Sequence, residues 1–321
     1  MGKIIITGGT GMLGRALTKA FTTTGDEVII LTRNLSQARR LPQGARAVEW
    51  DGKTGRSWFH ELTHATAIIN LAGETIGKPL WTAARKQRIR ESRVNAGQAI
   101  VDALHCAGVK PPVLLQMSGV GYYGLHADEI IAEDGAAGSD FLASVCVDWE
   151  NATAAAGKMG VRRIIARTGV VLSREGGALP LMALPFWFGV GGPIGNGQQY
   201  LPWIHVADVV KGMRFLIEND HASGVVNLCA PNPVTNKQFV RALGRALSRP
   251  AFLPAPGFAL KLALGEMAEL VLLGGQRVVP TRLTGLGYPF QFSDVEQALR
   301  ELYDNAEDEV APTNSHQLAH T

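Results

Sequence analysis

A doubly wound α/β fold, a parallel sheet with a second, smaller mixed α/β lobe after it, is what this 321-residue sequence predicts. Three observations point there. An apolar, β-branched run from Ile4 breaks into the spaced glycines Gly8, Gly11 and Gly14 and passes directly into an amphipathic segment. Strand-like and helix-like patterns then alternate as far as Leu172, as expected of a parallel sheet with helices on both faces. From Gly176 the texture changes, and glycines and prolines cluster through Gly197 before helical patterns resume.

The first strand hands over to a helix across residues 12–21, with Gly25 as its stop, and a second strand follows over 27–31. In such a Rossmann-type turn the first glycine makes the bend and the second admits a pyrophosphate. The third lets the helix pack against the strand. Thr10, Met12 and Leu13 lie at the helix amino terminus, whose unpaired N–H groups attract phosphate. Sites for NAD end the second strand in a carboxylate about 20 residues beyond the glycines. This chain carries Thr32-Arg33-Asn34 there. A guanidinium at that point suits a 2′-phosphate, with Arg39 and Arg40 adding positive potential, so the expected cofactor is NADP(H). Asp51, after a strand over 45–50, is placed either to meet the adenine edge or simply to form a turn.

A strand over 67–71 ends in Asn70-Leu71-Ala72-Gly73-Glu74, which brings Leu71, Ala72, Gly73 and Glu74 to the mouth of the site. Glu74 is read as an acid or base, or as a solvated turn residue. The helix over 82–107 is basic, and most of Arg85, Lys86, Arg88 and Arg90 are expected to form a solvated face. Pro111-Pro112 precede a strand over 113–117, and a helix over 141–156 leads to a strand over 162–166. The segment 167–172 carries Thr168 and Val171 to the carboxyl end of the sheet, where ligands bind in such folds. The domain expectation is a dinucleotide-binding unit over 1–175, to which part of 200–230 returns, and a substrate lobe over 176–303. The apolar stretch 252–273, interrupted by Pro256, Lys261, Glu266 and Glu269, reads as an amphipathic helical element rather than a membrane span. The acidic, polar tail over 304–321 is expected to be disordered.

A formal net charge of +3, thinly spread, leaves no electrostatic footprint for nucleic acid. The three cysteines, Cys106, Cys146 and Cys229, show no C-x-x-C spacing and read as reduced thiols. The eight histidines lack ligand spacing, so no metal is expected. The first strand is expected to start at Lys3, so no signal peptide is expected. The expectation is a cytoplasmic protein acting on a small molecule, with neither nucleic acid nor membrane as partner.

With these residues in view, the chain resembles the extended short-chain dehydrogenase/reductases, and within them an atypical branch of epimerase family proteins with a carboxyl-terminal domain of unassigned function. The resemblance covers nearly all of residues 1–303. It rests on T-G-G-T-G-M-L-G (7–14), L-T-R-N (31–34), I-N-L-A-G-E (69–74), S-R-V-N (92–95), G-Y-Y-G (121–124) and R-T-G-V-V-L (167–172), together with G-G-P-I-G-N-G-Q-Q-Y-L-P-W-I-H-V-A-D (191–208), N-P-V-T-N (232–236) and L-G-G-Q-R-V-V-P (273–280).

The resemblance implies an oxidoreductase or nucleotide-sugar epimerase, with a catalytic Tyr-x-x-x-Lys pair eight residues before a glutamate. Counting back from Glu150, the pair falls on Leu142 and Cys146, neither of which can exchange the proton. Ser118 matches the superfamily serine to within one residue, and Tyr122 and Tyr123 lie just beyond it. These three are the candidate catalytic residues; the tyrosines either donate a proton or line the pocket. The same resemblance turns Arg93 and Asn95 inward, with Arg93 near the cofactor. It gives Asp208 a helix-capping role and leaves His205 between packing and ligand contact. An active reductase or epimerase-like enzyme with an unusual proton donor is one expectation; a non-catalytic NADP(H)-binding sensor is the other.

Overall fold

In this computed structural model residues 2–304 are described, save the side chains of Gln37, Arg39 and Arg40. The expected tail from 304 onward thus falls outside the described residues except for Asp304, and the contribution of Arg39 and Arg40 falls outside them as well.

The apolar run after Gly2 forms β1 (Lys3–Thr7), and α1 (Met12–Thr23) buries Leu13, Leu17 and Phe21, spaced four apart on one helix face. Next come β2 (Glu27–Thr32), β3 (Ala45–Glu49) and β4 (Ala65–Asn70). The long α2 (Ala83–Cys106) starts where the Thr82 hydroxyl accepts from Arg85 N, and it leads to β5 (Val113–Gly119). After the short β6 (Ile130–Ile131), the helix expected over 141–156 divides into α3 (Phe141–Asn151) and α4 (Ala154–Lys158). Then follow β7 (Arg162–Thr168), β8 (Val170–Leu172), α5 (Leu179–Trp187), β9 (Tyr200–Leu201) and β10 (Trp203–His205). Next are α6 (Val206–Glu218), β11 (Gly224–Leu228), β12 (Val234–Thr235) and α7 (Asn236–Ala246). The expected helical element over 252–273 is α8 (Gly257–Leu264) followed by a π-helical turn, Ala268–Leu273, and the described chain closes with β13 (Arg277–Val278), α9 (Thr281–Gly285) and α10 (Val295–Asp304).

Seven strands form one sheet in the order β11-β7-β5-β4-β1-β2-β3, with every neighbouring pair parallel. The strand order reverses at β1, and the crevice at such a reversal is where this architecture binds ligands. Alternate residues feed two cores. Ile4, Ile6, Val28, Ile30 and Leu115 meet Leu17, Val209 and Leu216 of α1 and α6, while Ile5, Ile29, Ile68 and Leu114 meet Ala99, Ile100 and Ala103 of α2. A third core joins Phe186, Trp203, Phe239, Leu243 and Leu299 in the carboxyl-terminal region.

The Asp208 carboxylate fastens that region to α6. It accepts hydrogen bonds from the Tyr288 hydroxyl (3.0 Å), Gln291 N (2.8 Å) and Phe292 N (2.8 Å). The cap of α6 is His205, whose Nδ1 accepts from Ala207 N at 3.1 Å. The capping role read for Asp208 is therefore corrected. His205 is buried and tilted against the Phe292 ring, with Nε2 3.0 Å from Glu301, so packing and capping account for it.

Candidate functional site

The phosphate loop is shaped by close approach. Gly8 has φ +68°, a left-handed conformation, and a Cβ there would stand 2.9 Å from Leu71 O. At Gly14 a Cβ would fall 2.5 Å from both Gly8 O and Gly9 Cα, so only glycine lets α1 lie this close to the turn. Gly11 N donates to Gly8 O at 3.0 Å, and Gly11 as N-cap supplies no side chain. The first N–H groups of α1, at Met12, Leu13 and Gly14, thus face the turn without a side-chain cap, as an anion cradle requires. Thr10 is half-buried, and its carbonyl accepts from Arg15 Nη1 at 2.9 Å. These residues fit a dinucleotide pyrophosphate.

Beneath the loop runs a buried polar chain. The Thr7 hydroxyl donates to Asn70 Oδ1 (2.6 Å), Asn70 Nδ2 donates to Gln116 Oε1 (2.8 Å), and Gln116 Nε2 donates to Met117 O (2.7 Å). The Thr7 oxygen in turn accepts from Leu71 N and Ala72 N, each at 3.2 Å. Three adjacent strand ends are thereby fixed to one another, with Leu71 and Ala72 as the wall beside the glycines.

At the end of β2, Thr32 is buried and Arg33 is exposed, with its Cδ 3.7 Å from where a Cβ on Gly52 would stand. The Asp51 carboxylate is occupied by its own turn, accepting from Lys53 N (2.8 Å), Thr54 N (2.9 Å) and the Thr54 hydroxyl (3.1 Å). The turn-forming alternative describes its geometry.

The segment after β4 is held from α2. Glu74 N donates to the Ser92 hydroxyl (2.9 Å), while the Glu74 carboxylate, Oε1, pairs with Arg85 Nη1 at 3.0 Å. Arg85 also donates to Thr75 O (2.6 Å) and is buried, so it is the member of the basic set that does not join the solvated face. Arg93 lies under Gly73, 3.0 Å from where its Cβ would stand, and over the Trp149 ring at 4.8 Å. Among the described residues it donates only to the carbonyls of Glu74 (3.0 Å) and Ile89 (2.9 Å). Burial lowers its pKa, with Cys146 and Glu74 acting the other way. Asn95, read as pointing inward with it, instead lines a groove between α2 and α3 beside Arg90 and Asp148.

The end of β5 is where the candidate hydroxyls meet their partners. Ser118 is buried and donates to Glu150 Oε1 at 2.8 Å. Glu150 also receives Arg167 bidentately, Nε to Oε1 and Nη2 to Oε2, both at 2.9 Å. Burial opposes the Arg167 charge, yet the Glu150 carboxylate holds its pKa above the usual arginine value. The guanidinium stacks 3.3 Å from the centre of the Tyr122 ring. Tyr123 is 1% exposed, and its hydroxyl donates to Asn227 Oδ1 at 2.6 Å. Burial raises the Tyr123 pKa, which works against proton exchange near neutrality. Tyr122 is only half-buried.

The positions read for the missing pair lie on α3 facing this strand end. Leu142 Cβ is 3.5 Å from where a Cβ on Gly121 would stand, and Leu142 packs against the cluster of Trp81, Ile89, Val145 and Met267. Cys146 is buried beside Gly119, and burial pushes its thiol up to about 11. On the far side, Thr168 is buried with its hydroxyl toward Ala166 O (3.3 Å), and Val171 O faces Gly177, next to Met12.

The structure thus brings Gly8–Gly14, Leu71–Glu74, Arg93, Ser118 and Tyr122 to one crevice edge, while Tyr123 turns into the protein and Asp51 into its loop. Sequence reasoning passed over Asn70, Gln116 and Arg85. A polar residue directly after an apolar strand run, as in Ile68-Ile69-Asn70 and Leu114-Leu115-Gln116, was the available signal for the first two.

Comparison with known proteins gives two family matches: the NAD dependent epimerase/dehydratase family over residues 4–229, and a domain of unknown function (DUF1731) over residues 255–302. Epimerase family protein YfhF of Bacillus subtilis is 42% identical over 301 residues, spanning 93% of this chain and 97% of the relative. A crystal structure of human epimerase family protein SDR39U1 (isoform 2) with NADPH superposes with a TM-score of 0.83 at 33% identity, covering 94% of this chain and 99% of that one. UDP-N-acetylglucosamine 4-epimerase from Bacillus cereus shares the fold, with a TM-score of 0.74 at 14% identity over 96% of this chain and 100% of that one.

Proposed function

Given that the chain belongs to the NAD dependent epimerase/dehydratase family, in the branch that carries the DUF1731 domain, we propose that it is an NADP(H)-dependent oxidoreductase or epimerase-like enzyme that works without the usual Tyr-x-x-x-Lys pair. The nicotinamide cofactor would supply hydride transfer, and this chain's residues would bind and orient it. Gly8, Thr10, Gly11, Met12, Leu13 and Gly14 would hold the pyrophosphate, Thr32 and Arg33 the 2′-phosphate end, and Leu71, Ala72, Gly73 and Glu74 the flank. Thr168 and Val171 would form the opposite wall. NADPH in the human relative supports the phosphate reading of Arg33.

The observation that carries the enzyme reading is Arg93. It is a half-buried cation whose hydrogen bonds among the described residues go to carbonyls alone, and it lies near Cys146, the position read for the missing lysine. An α2 arginine in that place would steady the cofactor ribose as the lysine does from α3. Of the candidate hydroxyls, Ser118 and Tyr123 are committed to Glu150 and Asn227, which leaves Tyr122 as the candidate donor toward the crevice. A carbonyl or hydroxyl compound, with nucleotide-sugars as one class, would lie between Tyr122 and the segment 191–203.

Those same commitments favour the second reading, an NADP(H)-binding sensor without turnover. Stoichiometric NADPH oxidation against carbonyl compounds and nucleotide-sugars, beside calorimetric binding of NADPH and NADH, separates the two. Turnover that falls with Tyr122→Phe is the expected result. Tight NADPH binding with no turnover on any compound gives the sensor reading precedence, and equal affinity for NADPH and NADH refutes the assignment of Arg33.

A further inference from the structure

Nine of the fifteen large apolar side chains exposed on the described protein fall in two short segments, 181–190 and 252–262. On α5 and its carboxyl-terminal cap, Leu181, Leu184 and Phe188 recur at helical spacing and turn outward, with Trp187 beside them; Phe188 is 74% exposed. On α8, which buries no residue, Phe258 is 78% and Leu262 87% exposed, four apart on one face. The backbone joins the two segments into one surface. Leu253 N donates to Gly191 O (3.1 Å), Ala255 N to Pro193 O (2.9 Å) and Gly195 N to Ala255 O (3.0 Å), so the chain leaving α5 runs alongside the chain entering α8, with Phe252 between them. Exposed apolar surface of this continuity marks a place of contact with something else.

Charge says what that is. Residues 176–207 contain no Asp, Glu, Lys or Arg, and residues 221–265 contain no Asp or Glu but five cations: Lys237, Arg241, Arg245, Arg249 and Lys261. Arg249 stacks on Trp187 at 5.6 Å, at the edge of the apolar surface. Lys237 N is bonded to Gly197 O, which puts the start of α7 beside the segment that joins α5 to α8. Lys261 lies on α8 between Phe258 and Leu262. The facing acidic groups belong to other elements: Glu269 pairs with Lys261, Glu266 with Lys86 and Glu296 with Arg245. Lys237, Arg241 and Arg249 have no carboxylate partner among the described residues.

We infer that α5, residues 252–253 and α8 form a peripheral docking surface for an anionic lipid bilayer. Trp187, Phe188, Phe252, Phe258 and Leu262 enter the interfacial layer, and the bordering cations meet lipid phosphates. Tryptophan, phenylalanine and leucine on a face bordered by lysines and arginines, three of them without a carboxylate partner among the described residues, are what an interfacial, non-spanning segment requires. No helix among the described residues is long and apolar enough to cross a membrane, so attachment is peripheral. The inference departs from the expectation of no membrane partner drawn from the sequence, and it stands independently of the proposed activity.

The test is sedimentation of the full chain with vesicles of phosphatidylcholine alone and of phosphatidylcholine mixed with phosphatidylglycerol, at low salt and at about 0.5 M salt, where the screening length falls to roughly 4 Å. The protein is expected to partition onto the mixed vesicles and not the neutral ones, and to bind more weakly in salt. Phe258→Ser with Leu262→Ser should lower partitioning about tenfold or more, and Arg241→Ala with Arg249→Ala should abolish the preference for anionic vesicles. All four side chains are exposed, so circular dichroism should be unchanged in both variants. Absence of binding to the mixed vesicles overturns the inference, as does equal binding to both. Concentration-dependent dimerisation that the Phe258→Ser, Leu262→Ser variant abolishes, without vesicle binding, overturns it in favour of a second copy of the chain.

Discussion

Glu150 and Arg167 make the sharpest quantitative prediction. Their side chains are 9% and 4% exposed, the contact is bidentate, and Ser118 completes the coordination of one carboxylate oxygen. Removing one member of such a pair leaves an uncompensated buried charge, at a cost of about 3–5 kcal/mol. Glu150→Gln strands the Arg167 guanidinium, and Arg167→Met strands the carboxylate with only the Ser118 hydroxyl. Arg167→Met also removes the stacking on Tyr122, a contribution on the order of 1 kcal/mol. Additivity would put the double variant at about 6–10 kcal/mol. Because the second substitution removes the stranded charge, the double variant is expected to cost roughly 3–6 kcal/mol instead, a coupling of about 2–4 kcal/mol. Urea unfolding of the four proteins at pH 7, followed by tryptophan fluorescence, measures the cycle. Single variants costing under about 1 kcal/mol, or strict additivity, would refute the claim that this pair acts as one buried unit.

Other outcomes follow from the site and the sheet. Arg33→Ala should erase most of the NADPH preference, roughly tenfold in Kd, and leave NADH affinity nearly unchanged in calorimetry. Gly14→Ala places a methyl group 2.5 Å from Gly8 O and should remove NADPH binding while costing about 1–3 kcal/mol of stability. Tyr123→Phe leaves Asn227 without its hydroxyl donor. It should cost about 1–3 kcal/mol in urea unfolding without the 10²–10⁴-fold rate loss, as an order of magnitude, that a proton donor would show. Arg46 and Lys3 hold the Glu61 pKa at about 2, below its ordinary 4.5. A depressed carboxylate stabilises above its unfolded value, so about 1–3 kcal/mol should be lost as pH falls from 4.5 towards 2, and Glu61→Gln should flatten that limb of the acid titration.

The sequence carried the sheet because its signals are local: the β-branched run before Gly8, the helix-period residues Leu13, Leu17 and Phe21, and the stop at Gly25. The glycine loop was legible for the same reason, since Gly8 and Gly14 are constrained by neighbours a few residues away. Arg85 was not singled out because a helix of mixed charges does not disclose which arginine a distant loop will cover; Glu74, 11 residues upstream, decides it. Tyr123 looked available beside a strand end, but its partner Asn227 is 104 residues away. Ser118 likewise meets a carboxylate 32 residues on. The place of Asp208 at a helix start suggests a cap, whereas its partners lie 80 to 84 residues later. Pattern finds elements; burial of a polar group is settled by contacts that pattern does not encode.

The fastening at Asp208 bears on how the protein is made. Its ligands, Tyr288, Gln291 and Phe292, are synthesised long after it, with Gln291 83 residues downstream. While the ribosome works through that interval, α6 can dock on the sheet only with its carboxylate hydrated or unpaired. The sheet face that α6 covers beside α1 therefore stays loosely closed on the nascent chain. Docking of α6 is then completed only by the arrival of residues 288–292, shortly before α10 joins the third core. This interval is when the half-made protein is most open to chaperones and proteases.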